Sequence, residues 1–387
     1  MPRNLLEGLS RSQPIGTIRS SSVRSAISTP ITQLDAVSLT SYDQLPIAGA
    51  AKSEIIVVPG SPAVWSPPPL PTRLQSDGVQ PLIHENFPEC PLEPLFRALE
   101  NTQPDLDLNS FDIITDRRNL QMLLSFVSGT GRWQEFRLDA ELVGNSVLFS
   151  RWIDWETRRY PGGYGTEFEK NFTKTPESVK GSLVHKRAVG YTLGGLRMMV
   201  RFKVDAHLED AEEGEEEGEV EVIRGNKVVS RGVLAKDEGI VELRTAAMGG
   251  KYSTADKTLS QMWLSRTPVL CEGFHSNGEF KKVVVMKLQE QGKFLRWEEA
   301  NQDRIGKLVR VMKMLKEMME KAEGERFAVI SKKGSDNLEV YRLAPTYQFR
   351  LPKDLREKWE EQQVKKQVHQ QADQHRQLEI ALERLSL

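Results

Sequence analysis

The chain has 387 residues, 39% of them hydrophobic and 28% charged, enough for one large domain with extensions or two modest ones. A formal net charge of −1 gives no global field toward nucleic acid or membrane, so any RNA-binding surface has to be local and DNA is not an expected partner. Cys90 and Cys271 are too few for a disulfide framework or a cysteine zinc site, and no apolar run approaches the ~18 residues of a membrane-spanning helix. The N-terminus lacks the apolar stretch of a secretory signal, which points to an intracellular protein, nuclear or cytoplasmic.

Residues 1–78 are rich in Ser, Pro, Thr and Gly, and Ser66-Pro67-Pro68-Pro69-Leu70-Pro71 favours an extended, polyproline-like path. That composition predicts a disordered tail. The folded domain is expected over 79–350. Leu92 to Leu99 suits a short helix and Phe111 to Thr115 a strand, with a helix or second strand from Leu120 to Phe126. Between Trp133 and Trp155 a strand pair turns at Gly144-Asn145, and Tyr191 to Ala206 is a second β-rich block bending at Gly194-Gly195. Residues 207–220 form an acidic loop too charged to pack. Strands are predicted at Glu221 to Ile223, Gly239 to Thr245 and Phe280 to Leu288.

Ile305, Leu308, Val309, Met312, Leu315 and Met319 recur at helical spacing and mark a helix with a core-facing side. Phe327 to Ile330 and Leu338 to Leu343 flank Gly334-Ser335-Asp336-Asn337 as a hairpin. Residues 351–387 are charged and Gln-rich and predict an exposed polar helix. The expected fold class is α+β: two mostly antiparallel sheets flanked by helices around a central cleft, with a disordered N-terminal tail and a polar C-terminal helix.

Five short motifs run in order through the domain: Thr115-Asp116-Arg117, Gly165 to Glu169, Lys203-Val204-Asp205, Glu242-Leu243-Arg244, and Lys257 to Gln261. Several set acidic residues in or beside apolar, strand-like sequence. Carboxylates facing an interior need a compensating charge, and a divalent cation is a common one. Residues two apart on a strand share a face, so 203 points with 205, and Glu242 with Arg244. Glu169 competes with Glu167 for one role, and Arg117 with Arg118 for another. No Ser/His/Asp arrangement or Gly-rich nucleotide fingerprint supports another chemistry.

This order of motifs resembles the DXO family of RNA 5′-end decapping exoribonucleases, over roughly residues 85–345. The resemblance implies two Mg²⁺ or Mn²⁺ ions bridging a phosphate. It casts Glu169, Asp205 and Glu242, with the backbone carbonyl of Leu243, as metal ligands. Arg117 becomes a phosphate clamp, Gln261 orients water or phosphate, Arg244 replaces a family lysine, and Lys257 is a further active-site position. The implied partner is an RNA 5′ end and the implied activity is decapping, pyrophosphohydrolase or 5′–3′ exonuclease chemistry. A protein partner is assigned to 1–78 or 354–387.

Lys203 departs from the pattern, standing where the family has a carboxylate. An ammonium about 4 Å from a divalent ion is repelled by about 8 kcal/mol at an effective dielectric of 20. The expectation is therefore a one-metal or metal-free site with Lys203 in the place of an ion, paired with Asp205 and Glu242. Impaired catalysis follows, with a non-catalytic RNA- or protein-binding pseudoenzyme of the same fold as the alternative.

Overall fold

The computed structural model describes residues 5–25, 29–46, 54–78, 90–130, 135–152, 162–208, 220–223, 226–249, 256–322, 326–347 and 350–364. The described residues among the first 78 are not a disordered tail. They carry β1 (Gly16–Arg19), β2 (Gln33–Pro46), β3 (Glu54–Gly60), β4 (Val64–Trp65) and β5 (Thr72–Arg73). Their composition hid them because β2 buries polar side chains: Thr40, Ser41, Asp43 and Gln44 all lie inside. Each polar group needs a partner there. Ser41 donates to the Pro59 carbonyl at 2.7 Å, and the Asp43 carboxylate meets Ser182 Oγ at 2.6 Å and His185 Nδ1 at 2.9 Å.

The middle of the chain follows the expected order. α1 (Glu93–Thr102) precedes β6 (Ile113–Asp116), which runs directly into α2 (Arg117–Val127). β7 (Phe136–Val143) and β8 (Ser146–Arg151) form the predicted hairpin. Its Gly144 has φ +55°, and a Cβ there would lie 2.1 Å from Asn109 Oδ1, so the turn requires glycine. α3 (Gly165–Phe172) and β9 (Thr173–Lys174) follow, then β10 (Val184–Leu193), β11 (Leu196–Val204) and β12 (Ala206–His207). Most of the predicted acidic loop lies outside the described residues, although His207 ends β12 and Val220 begins the next strand.

That next strand is β13 (Val220–Ile223), followed by β14 (Asn226–Gly232), β15 (Ile240–Ala247), α4 (Asp256–Ser265), β16 (Val269–Ser276) and β17 (Glu279–Lys287). α5 (Lys293–Ala300), α6 (Gln302–Lys321) and the hairpin of β18 (Arg326–Ser331) and β19 (Asn337–Arg342) follow. Every apolar residue singled out on α6 is buried, Met312 and Met319 included, so that face of the helix is core as expected.

Two mixed, mostly antiparallel sheets result. The larger runs β1-β19-β18-β7-β8-β6-β11-β10-β2-β3-β14-β13 and the smaller β5-β17-β16-β15-β12-β4-β9. β11 and β12 belong to different sheets, so the chain crosses from one to the other at Asp205. β1 pairs antiparallel with β19, with Gly16 opposite Val340, joining the two ends of the fold. The C-terminal segment is also less exposed than its composition predicts. A helix over 353–364 buries Leu355 and Trp359 beside α1, with the Trp359 and Phe96 rings 5.3 Å apart. Residues 365–387, where the exposed helix was expected to continue, lie outside the described residues.

Candidate active site

The crossover at Asp205 brings together the ends of α2, α3, β11, β15 and α4. Arg117 is the first residue of α2, immediately after β6. Asp116 before it is held by Arg201 from the neighbouring β11, at 2.6 and 3.0 Å. That pair fixes the strand end from which Arg117 projects. Arg117 Nη1 donates to Glu242 Oε2 at 3.0 Å and to Ser265 Oγ at 3.2 Å, and its guanidinium lies 5.6 Å from the centre of the Phe202 ring. Arg118 is exposed at the same cavity and makes no ion pair with a described residue.

Glu242 and Arg244 share a face of β15, as their spacing requires, with Arg244 Nη2 2.8 Å from Glu242 Oε1. Gln261 on α4 donates to Glu242 Oε1 at 2.6 Å, and its own carbonyl accepts from Arg244 at 2.6 Å and from Gln121 at 3.3 Å. Glu242 is thus buried between two guanidinium groups and an amide. Burial pushes its carboxyl above the ordinary carboxylate range, opposed by Arg117 and Arg244.

α3 resolves the competition between Glu167 and Glu169. The segment is helical, so the two side chains diverge by about 200° instead of sharing a strand face. Glu167 pairs with Lys170 at 3.1 Å, whereas Glu169 faces the cavity. Gly273 allows this approach: a Cβ there would lie 2.4 Å from Phe168 of α3.

Lys203 sits in the middle of the acidic group. Its Nζ donates to Glu169 Oε1 and Oε2 at 2.6 and 2.8 Å and lies 3.2 Å from Asp205 Oδ1. The other Asp205 oxygen accepts the Leu243 amide at 3.0 Å. The lysine therefore takes Glu169 and Asp205, not the expected Asp205 and Glu242, because Glu242 is already held by the arginines. Burial favours the neutral amine, but Asp205 and Glu169 outweigh it and hold the ammonium above the usual lysine range. Burial likewise raises the Glu169 carboxyl, against the pull of Lys203.

Glu169, Asp205, Glu242, Arg117, Arg244 and Gln261 line a cavity of about 440 Å³ together with Arg118, Gln121 and Asp77, and Lys203 stands beside it, reaching it through Glu169 and Asp205. Lys257 is exposed at the start of α4 and does not line it. Gln121, four residues after Arg117 on one helix face, was readable from spacing. Asp77 was not, since nothing local marks it. Its carboxylate accepts the backbone N–H groups of Thr166 at 3.1 Å and Glu167 at 3.0 Å, capping α3 where Tyr164 makes no side-chain cap. Asp77→Ala is expected to cost about 1 kcal/mol, the usual value of a lost N-cap, read as a lower urea midpoint at unchanged slope.

The chemistry of the donor set decides whether the implied pair of divalent ions fits. Glu169 and Asp205 are bridged by one ammonium, and Glu242 is bracketed by two guanidinium groups. Each carboxylate already has its countercharge. Among the described residues no three His, Cys, Asp or Glu side chains are grouped to hold a metal. Two divalent ions do not fit this set as it stands.

The fold has known relatives. Scheffersomyces stipitis Rai1 in complex with (3′-NADP)+ and calcium superposes with a TM-score of 0.61 at 13% identity, covering 89% of this chain and 99% of that one. Candida albicans Rai1 in complex with pU5-Mn2+ gives 0.57 at 14% identity, over 89% and 99%. S. pombe Rai1 in complex with 3′-FADP gives 0.55 at 13% identity, over 85% and 99%. The likeness shows a shared fold, the one implied by the motif order. No curated protein matches the sequence. A family model described as "Domain of unknown function (DUF8563)" matches residues 22–359.

Proposed function

We propose, for a chain that belongs to the DUF8563 family and has the Rai1 fold, that its cleft binds the phosphorylated 5′ end of RNA without hydrolysing it. The observation that carries this reading is the Lys203 ammonium bridging Glu169 and Asp205. It replaces a charge that would otherwise activate water, and an ammonium cannot lower the pKa of a bound water as a metal does. The nucleotide ligands held by the similar structures favour a nucleotide here too.

The cationic edge left for a phosphate is Arg118, with Arg244 one-third exposed beside it. A guanidinium fork suits a terminal phosphate with two acceptor oxygens. Retention of Glu169, Asp205, Glu242, Arg117 and Gln261 around one cavity favours a second reading, metal-dependent decapping or exonuclease hydrolysis. Membrane attachment is not part of either reading; among the described residues no helix is long and apolar enough to cross a bilayer.

The test is incubation with 5′-monophosphate RNA and unmethylated-cap RNA, in Mn²⁺ and in EDTA. Saturable binding in both buffers, with no nucleotide released, is the expected result. Mn²⁺-dependent release that disappears in Glu242→Ala would establish the hydrolase instead. Absence of binding to either RNA would remove both readings.

A further inference from the structure

A second cavity of about 460 Å³ opens behind the Arg117 clamp, between the start of β2, the ends of β10 and β11, and the turn that follows α4. Ser265 and Phe202 line it, and both are also in contact with Arg117. Its volume suits a nucleoside-sized molecule. Its inner wall is apolar, with Val189, Phe202 and Ile240 all buried. Val37, 52% exposed, stands at its edge.

The charged groups at this cavity are arranged differently from those of the cleft. Arg187 is tied to Asp237, and Lys287 to Glu290 at 3.1 Å. Arg266 and Glu238 remain outside these pairs. Arg266 gives Nη1 to the neutral Gln33 at 3.2 Å, and Glu238 makes no ion pair with a described residue. Two pairs plus one remaining charge of each sign leave the cavity neutral, which disfavours a phosphate as the ligand.

The backbone at Arg266 supplies a separate argument. α4 ends in two reverse bonds, Arg266 N to Trp263 O at 3.1 Å and Thr267 N to Met262 O at 2.9 Å, with Arg266 at φ +53°. This is the helix-ending motif whose left-handed position glycine normally fills without strain. An arginine there is strained. Its backbone contributes nothing that glycine would not; its guanidinium holds the Gln33 side chain and lines the cavity.

We infer that this second cavity is a binding site for a neutral purine nucleoside of the guanine type, stacked toward the apolar wall. Guanine presents N–H donors on one edge and O6 and N7 acceptors on another. A carboxylate and a guanidinium at one cavity match those edges, as Glu238 and Arg266 do. The site needs neither RNA nor metal.

Calorimetric titration of the full chain with guanosine tests it, because guanosine carries no phosphate for the cleft. Saturable heat is expected, with adenosine weaker by about tenfold or more. Glu238→Gln, at an exposed position, should weaken guanosine about tenfold without lowering the melting temperature. Arg266→Gly should do the same while the melting temperature holds or rises, an outcome that a purely structural arginine would not produce. Val37→Trp, which fills the mouth, should abolish the heat. No saturable guanosine binding, equal binding of adenosine, or guanosine binding indifferent to all three substitutions would overturn the inference. Loss of guanosine binding leaves RNA binding in the cleft untouched, so the two readings fail separately.

Discussion

Lys203→Glu is expected to melt lower than the native chain in EDTA and to recover in Mn²⁺, while the native melting curve ignores the ion. The substitution removes the ammonium that neutralises Glu169 and Asp205 and sets a third carboxylate beside those two. Breaking a fully buried ion pair costs about 3–5 kcal/mol. Here Lys203 and Glu169 are 42% and 34% exposed, so screening reduces the loss to about 1–3 kcal/mol. A divalent ion that binds only the folded variant would return about 2.7 kcal/mol at a hundredfold excess over its Kd. Calorimetric titration with Mn²⁺ is the direct measurement. Two tight sites on the native chain would contradict the charge argument, and a variant that binds no better than native would show that position 203 is not what excludes the ion.

Glu242→Gln is expected to cost about 3 kcal/mol of stability and to tighten binding of 5′-phosphorylated RNA. The carboxylate is 5% exposed and receives Arg117, Arg244 and Gln261 together. An amide of the same shape leaves two guanidinium groups without their counterion in a partly desolvated place. Those freed cations are what a terminal phosphate would use, and one additional charge-assisted hydrogen bond is worth about tenfold in affinity. Equilibrium unfolding in urea and RNA filter binding give the two numbers. A stability loss without tighter binding would place the phosphate elsewhere than beside Arg117 and Arg244.

The residues differ in how legible they were from sequence, and the reason is the range of the interaction each depends on. The β7–β8 hairpin and α6 announce themselves through local signals, a Gly-Asn turn and a 3.6-residue apolar repeat, and both stand where they were expected. The pairing of 203 with 205 and of 242 with 244 follows from the geometry of single strands. The strands of residues 1–78 left no such mark. β2 is held by β10, about 150 residues away, and its buried Ser, Thr and Asp mimic the composition of a linker. Asp77 caps a helix 89 residues further on and could not be read locally. Lys203 was recognised as a cation in a carboxylate's place, but its choice of Glu169 over Glu242 depends on Arg117 arriving from α2, which no single segment encodes.

The closure of the large sheet by β1 against β19 sets a timetable for biosynthesis. The amino-terminal strand leaves the ribosome more than 300 residues before its hydrogen-bonding mate, Gly16 opposite Val340, and Arg137 later clasps the carbonyl of Leu5 at 3.0 Å. Such distant pairings carry a loop-closure entropy that must be met before they contribute anything. Until the final hairpin is synthesised, β1 and β7 lack the strands they pair with, and an unpaired strand edge is a site of aggregation.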